Sequence, residues 1–526
     1  MIRTESLHPP VIVRGAARSR LLAPVFCILL LAAAAPVFMD GIPPLADYVN
    51  HLARMHVIAA IDADPTLASL YQIDWAVIPN LVMDLIVPVL NRFAGIYLAG
   101  QFFVFATILL LATGPMAVQR ALFGTCSPWP LLAFPFLYNA IFLLGLMNYL
   151  FGLGVALWGM AAWIHLRGRP APVRAAVSVA FVLATFACHL FALGVYGMGL
   201  LALEAWQLLE RRPAGRAALL ADALAFGVPF LPVLPLMLLS PTMGLSHDVI
   251  WESSGKLEGV GYIVQTYSDV FDLMLGGVAV GITVWAAQRR LLTLHPAGLV
   301  LLTLGVAVFL AMPRMLFGSW AADQRLPIAI FFMVLGFVRF GPADRASRYA
   351  FFAFVVGISL VRYVDISAHW IQLQRVNHDV RASVHLIEPG SSILVAYADE
   401  PHGHDALNQA LSHAPCIAII ERAALVSTVF SVPGKQVLGV RAPFRDRVDA
   451  TDGDPPTVSQ LLATTGGPEN GHERYWDAWP ERYDYVYVLY AEGSPNPDPE
   501  HLTLLHEGPR FQLYKVVRPV EDERDT

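Results

Sequence analysis

Long apolar runs constrain the fold of this chain more than any other feature of its sequence. The hydrocarbon core of a bilayer is about 30 Å thick, which a helix of roughly 20 apolar residues can span. Of the 526 residues, 56% are hydrophobic and 14% are charged, whereas about 25% are charged in a typical soluble protein. Eleven runs have the composition of membrane spans, at residues 21–39, 93–116, 128–146, 148–166, 173–190, 191–209, 219–239, 270–288, 297–312, 325–341 and 347–364. The sequence therefore predicts a polytopic α-helical membrane protein with about 11 transmembrane helices.

Two apolar segments have an alternative interpretation. The run from Leu21 contains small residues at 32–35, as a cleavable signal peptide would. However, four arginines precede the run, it is long, and Pro36 follows the alanines, so we interpret it as a retained first span. The segment 76–90 is short and contains Asp84 and Pro88, which favours a re-entrant or interfacial helix over a span.

Basic residues alternate between the connections of the predicted spans. With the N-terminus inside, the inner connections carry 16 arginines, and the outer connections before residue 365 carry five basic residues. Because basic residues concentrate on the cytoplasmic side of membrane proteins, this pattern predicts a multi-pass protein of the bacterial inner (plasma) membrane. Residues 1–20 are then a cytoplasmic tail, 21–364 are the transmembrane core with an outer first loop at about 40–92, and the C-terminal segment is periplasmic.

The C-terminal segment, 365–526, has more charge and shorter apolar runs than the core. Strand patterns occur at 392–398, 483–490, 502–506 and 511–517, and helical patterns at 406–414 and 460–465. A mixture of strands and short helices predicts a small extracytoplasmic α/β domain.

The outer first loop contains the strongest candidates for chemistry. If residues 46–61 form a helix, Asp47, His51 and Arg54 lie at positions i, i+4 and i+7 on one face. A carboxylate can take a proton from an incoming hydroxyl or amine, and Arg with His can hold a phosphate. The alternative is that Asp47 caps the helix and Arg54 pairs with it as a salt bridge.

Further ionisable residues lie at predicted span ends or in apolar surroundings. In the segment 312–327 two arginines at an outer interface could bind a lipid phosphate, or they could snorkel or cap. An ionisable group at membrane depth is a candidate functional residue, although an interhelical hydrogen bond explains a histidine equally well. The additional candidate substrate-binding residues are Asp84, His189, Arg314, Asp323 and Arg325.

Several other functions and ligands are not indicated. The net charge of −6 and the lack of a basic patch argue against nucleic-acid binding. The sequence contains no GxxxxGK[ST], GxSxG or HExxH motif, so ATP-driven and serine or zinc hydrolase mechanisms are not indicated. No cofactor is predicted, and a divalent metal is not indicated, because His402, His404 and Asp405 have the composition of a solvated loop.

The first loop and the segment after it resemble the type-C (GT-C) integral membrane glycosyltransferases, in particular the protein O-mannosyltransferase and aminoarabinose transferase group. The resemblance is carried by DYVNHLAR after the first span, by WAVIPNLVMDLIVPVL, and by QRALFG at the end of the second span. It implies a GT-C fold, a polyprenyl-phosphate-linked sugar as donor, and an acidic catalytic base in the first outer loop. That base would be Asp47, with Asp40 as the alternative, and Arg54, Arg314 and Arg325 would contact the donor phosphate.

Two departures from this group concern metal dependence and subfamily. The first loop lacks the Asp-Glu pair of the O-mannosyltransferases, because Tyr48 follows Asp47. In the first loop, the Asp-x-Asp pattern of metal-dependent relatives occurs at Asp62 and Asp64, far from the first span, where turn residues are expected. The sequence therefore favours a metal-independent enzyme.

Three functions are compatible with the sequence. The first is a membrane glycosyltransferase that moves a sugar from a polyprenyl-phosphate donor to a lipid, polysaccharide or protein acceptor at the outer face, with membrane lipids as further partners. The second is a transporter or flippase, which predicts charged groups near the bilayer midplane. The third is a non-catalytic envelope-assembly protein that retains the fold.

Overall fold

The computed structural model describes residues 21–518 except 212–214, 216–219, 221–222, 225, 342–343, 400–405, 452 and 468–472. The predicted cytoplasmic tail 1–20 and the residues His402, His404 and Asp405 lie outside this part of the chain. So does part of the predicted span 219–239.

Most described residues before 385 lie in apolar helices. Six described helices are long and apolar enough to cross a membrane: Ile96–Phe123, Met147–Gly168, Ala171–Cys188, Leu190–Glu210, Asp269–Gln288 and Arg345–Val384. Shorter apolar helices are Leu22–Phe38, Val228–Leu238, Pro296–Ala311 and Arg325–Phe337. The protein is thus a multi-pass membrane protein.

The remaining elements are shorter. Helices outside these spans are Tyr48–Ala60, Pro65–Leu70, Val82–Ala94, Ala140–Leu143, Lys256–Gly261, Ala406–Gln409, Ile417–Arg422, Val458–Ala463 and Trp479–Arg482. Strands are β1 (Tyr71–Ile73), β2 (Leu292–Leu294), β3 (Val338–Phe340), β4 (Ser392–Tyr397), β5 (Leu425–Val426), β6 (Leu438–Val440), β7 (Tyr485–Leu489), β8 (Leu502–Gly508) and β9 (Phe511–Val516).

The prediction of a continuous helical span at 128–146 is wrong. The segment is a 3₁₀ helix, Trp129–Phe136, followed by the single turn Ala140–Leu143. Prolines at 128, 130 and 135 remove backbone donors and interrupt the α-helical pattern. Nearly all of the segment is buried, which is the condition under which irregular backbone is tolerated at membrane depth.

The short helix predicted at 76–90 lies further along the chain, at Val82–Ala94. Residues 74–81 carry no helix. Leu85, Val89 and Phe93 recur every four residues on this helix and are exposed by 51%, 50% and 85%. An apolar stripe with the opposite face packed on the protein is typical of a helix that contacts lipid, and it favours the interfacial interpretation.

The C-terminal residues form a five-stranded sheet that packs on the first loop. Its strand order is β5-β4-β7-β9-β8, with β4 parallel to β5 and β7, and with β9 antiparallel to β7 and β8. β1 of the first loop pairs with β6 of the C-terminal segment. The first loop and the C-terminal segment therefore lie on the same side of the core.

The helix Arg345–Val384 connects the core to this sheet without interruption. Its 40 residues give a length of about 60 Å at 1.5 Å per residue, roughly twice the hydrocarbon thickness. The helix therefore continues well beyond the membrane and supports the C-terminal segment.

Candidate functional site

A cavity of about 820 Å³ lies between the core and the C-terminal sheet. We call its lining residues before position 365 the floor and those after it the roof. The floor includes Asp47, His51, Asn80, Asn148, Tyr149, His189 and Arg325, and the roof includes Tyr397, Asp399, Asn408, His413, Phe430 and Tyr490. The carboxyl ends of β4 and β7 face the cavity, which is where ligands commonly bind in sheets with parallel strands.

Among the described residues that line the floor, Asp47 is the one that carries a carboxylate. It immediately precedes the helix Tyr48–Ala60, and its side chain makes no capping hydrogen bond. Its backbone N–H donates to the carbonyl of Leu144 over 3.1 Å. Gly145 has φ +80°, and a Cβ there would lie 2.9 Å from the Asp47 nitrogen. The irregular segment after the 3₁₀ helix therefore holds Asp47 in place.

Arg54 does not pair with Asp47, as the alternative interpretation of this helix required. Its Nε donates to Asp84 Oδ1 over 2.7 Å, and both side chains are almost completely buried. Its Nη1 lies 3.0 Å from His51 Nδ1. Since a guanidinium is always a donor, His51 Nδ1 accepts and the ring proton is on Nε2.

His51 and His413 are neutral donors in this arrangement. Burial lowers the pKa of His51 well below its usual value, and the neighbouring Arg54 and His413 lower it further. Burial also lowers the pKa of His413 to about 4. At neutral pH both rings therefore carry one proton and no charge.

His189 and Arg325 meet at the opposite side of the floor. His189 interrupts the run between the helices Ala171–Cys188 and Leu190–Arg211, and its Nδ1 accepts the backbone N–H of Phe191 over 3.1 Å. The other ring nitrogen, Nε2, lies 3.0 Å from Nη1 of Arg325. A neutral imidazole accepts at only one nitrogen, so His189 cannot accept both N–H groups, and one of these two donors is left for another acceptor.

Arg325 is held by the core and has donor capacity left. Its Nη2 donates to the carbonyl of Trp320 over 2.7 Å, and Tyr149 Oη donates to its carbonyl over 2.8 Å. Its Nε is buried and makes no hydrogen bond to any described residue. Its charge also interacts with that of Asp47.

Arg314 and Asp323 lie behind the cavity and do not line it. Asp323 Oδ1 is 3.2 Å from Arg314 Nε, and its Oδ2 is 2.8 Å from Lys256 Nζ. Lys256 also donates to the carbonyl of Phe309 over 2.9 Å. This network connects Lys256 to the segment 312–325. Because Arg314 pairs with Asp323 and does not line the cavity, its position does not support the predicted phosphate contact.

The structure brings together four of the eight candidate residues: Asp47, His51, His189 and Arg325 line the cavity. The others, Arg54, Asp84, Arg314 and Asp323, form two buried ion-pair clusters. Two other acidic residues of the first loop, Asp40 and Asp64, make local hydrogen bonds. Asp40 accepts the backbone N–H of Gly41, and Asp64 caps the helix Pro65–Leu70.

Sequence reasoning missed two polar contributors to the site. Asn148 binds the backbone N–H of Met83 and the side chain of Asn80, and so joins the floor to the helix Val82–Ala94. His413 comes from the C-terminal segment, and its Nε2 lies 3.8 Å from Asp47 Oδ1. No local pattern links residues so distant in the chain. Among the described residues, no group of three or more His, Cys, Asp or Glu side chains is placed to hold a metal ion.

No family model matches the sequence, and no curated protein matches it. Among solved structures, the chain is similar to the crystal structure of ArnT from Cupriavidus metallidurans bound to undecaprenyl phosphate, with a TM-score of 0.49. The sequence identity is 11%, over 95% of this chain and 98% of that chain. A likeness of this degree does not define an activity or a site, which must be inferred from the chain's own residues.

Proposed function

We propose that this protein is a membrane glycosyltransferase that moves a sugar from a polyprenyl-phosphate donor to an acceptor at the outer face of the membrane. The observation that carries the proposal is the floor of the cavity. Asp47 lines this floor together with His51, His189 and the guanidinium of Arg325. A carboxylate that shares a cavity with hydrogen-bond donors suits a reaction between a nucleophile and a substrate with an anionic leaving group.

His189 and Arg325 would bind the donor phosphate. A neutral His189 ring can accept only one of the two N–H groups beside it. The other donor needs an acceptor, and a phosphate oxygen supplies one with a full charge. Hydrogen bonds from charged donors to phosphate are about twice as strong as neutral ones.

Asp47 would act as the general base. The acceptor hydroxyl loses its proton to the Asp47 carboxylate while its oxygen bonds to the anomeric carbon of the sugar. The bond from that carbon to the phosphate oxygen breaks, and the polyprenyl phosphate leaves with the electron pair. Arg325 and His189 stabilise the negative charge that develops on the leaving phosphate.

Transfer assays on the reconstituted full-length protein test this proposal. Polyprenyl-phosphate sugars carrying labelled hexoses or pentoses are supplied with envelope lipid, polysaccharide and protein acceptors, and wild type is compared with Asp47→Asn. Loss of a general base lowers rates by about 10²- to 10⁴-fold, so transfer should be lost while binding of polyprenyl phosphate remains. Asp62→Asn is the matched control, since Asp62 is an exposed carboxylate of the same loop.

Two results would contradict the assignment. Transfer that survives Asp47→Asn removes Asp47 as the base. Movement of the labelled lipid across the bilayer without transfer to any acceptor would favour a transporter instead. A separate titration of Arg325→Met with polyprenyl phosphate should show weaker binding by about tenfold or more, the equivalent of one charged hydrogen bond.

A further inference from the structure

We propose that His413 is a positioning residue for Asp47, so that the C-terminal segment supplies part of the site that performs the reaction. The inference rests on the proposed function. It follows from the hydrogen bonds of Asn50, which determine the tautomer of His413 and therefore what this histidine offers to Asp47.

Two backbone groups fix the orientation of the Asn50 amide. Its Oδ1 accepts the N–H of Phe430 over 2.9 Å, and its Nδ2 donates to the carbonyl of Thr428 over 2.7 Å. A backbone N–H can only donate and a carbonyl can only accept. The amide therefore cannot be turned over without losing both bonds.

The same Nδ2 lies 3.1 Å from His413 Nδ1. Because Nδ2 is a donor, Nδ1 of the neutral ring must be the acceptor and Nε2 must carry the proton. That proton is on the nitrogen 3.8 Å from Asp47 Oδ1. This distance is too long for a hydrogen bond, but contacts of catalytic groups often shorten when substrate binds.

The ring of His413 is also held by packing. Phe430 contacts it edge-to-face at 4.7 Å between centroids, and contacts His51 at 5.4 Å on its other side. Asn50, Phe430 and Thr428 thus fix both the place and the tautomer of His413. An N–H aimed at one oxygen of Asp47 would orient the carboxylate and stabilise its charged form.

A matched pair of variants tests the inference. His413→Gln keeps an N–H donor near the position of Nε2, whereas His413→Met has nearly the same length and shape and no donor. Both full-length proteins are reconstituted, kcat is measured with the labelled polyprenyl-phosphate sugar, and binding is measured with polyprenyl phosphate alone. We expect His413→Met to lower kcat about tenfold, the rate equivalent of one hydrogen bond. Binding of polyprenyl phosphate should be unchanged in this variant, and His413→Gln should keep most of the wild-type rate.

The outcomes separate this inference from the proposed function. If wild type transfers sugar and both variants do so at its rate, or if Gln is as impaired as Met, His413 does not act through its N–H and the inference is wrong. If phosphate binding falls together with kcat in the Met variant, the residue maintains the fold of the cavity and the inference is again wrong. If wild type itself transfers no sugar, the proposed function fails and this inference fails with it.

Discussion

The ion pair of Arg54 and Asp84 gives a strong test of the site architecture. The side chains are 0% and 1% exposed and lie 2.7 Å apart. Replacing Asp84 with valine would leave a guanidinium buried without its counter-charge. Removing one partner of a buried pair typically costs about 3–5 kcal/mol, because the remaining charge is uncompensated.

Removing both charges should cost much less. In the double variant Arg54→Met with Asp84→Val, no buried charge remains, and such replacements are often neutral or stabilising. We therefore expect a coupling free energy of at least about 2 kcal/mol between the two substitutions. The loss of the Arg54 contact to His51 Nδ1 remains in the double variant and adds about 1 kcal/mol.

The measurement is a double-mutant cycle on the full-length protein in detergent micelles. The free energy of unfolding is obtained from titration with a denaturing detergent, followed by the fluorescence of the buried tryptophans. Two results would refute the reasoning: a cost below about 1 kcal/mol for Asp84→Val alone, or additive costs in the double variant. Either result would mean that the Arg54–Asp84 pair is not buried away from water.

Three further predictions follow from other contacts. The pKa of His413 is lowered to about 4, so between pH 6.5 and 4 the unfolded chain binds a proton that the folded chain does not. The free energy of unfolding should therefore fall by up to about 2 kcal/mol from pH 7 to pH 5. In acid unfolding curves, His413→Gln should reduce this loss. Gly145→Ala should lower the transfer rate, because its Cβ would displace Asp47, whereas Gly124→Ala, also at positive φ but with no atom within 4 Å, should leave transfer intact. Asp323→Asn should destabilise the protein by about 3 kcal/mol, because it removes the buried carboxylate that Lys256 and Arg314 share. It should not weaken the binding of polyprenyl phosphate, and weaker binding would place this cluster in the site.

Local patterns in the sequence predicted the helix that begins directly after Asp47. The predicted bounds 46–61 are close to the observed Tyr48–Ala60, because amphipathic spacing depends on neighbours within two turns. The partner of Arg54 could not be predicted in the same way. It lies 30 residues away on another helix, so the alternative that paired Arg54 with Asp47 was wrong.

Hydropathy does not determine the hydrogen bonding of an apolar segment. The apolar run 128–146, predicted as a membrane span, is not a continuous α-helix, since apolar composition reports the surroundings of a segment and not its hydrogen bonding. Its three prolines were the available signal. His413 had no comparable signal, because its proximity to Asp47 exists only once the C-terminal segment has folded against the first loop.

The pairing of β1 with β6 imposes an order on the biogenesis of this protein. Residues 71–73 acquire their partners at 438–440, and Asn50 acquires its partners at Thr428 and Phe430. In synthesis from the N-terminus, the first loop is made before any of these partners exist. The cavity can form only after the last quarter of the chain has been made, so a chain truncated before that point has a floor without a roof and no completed site.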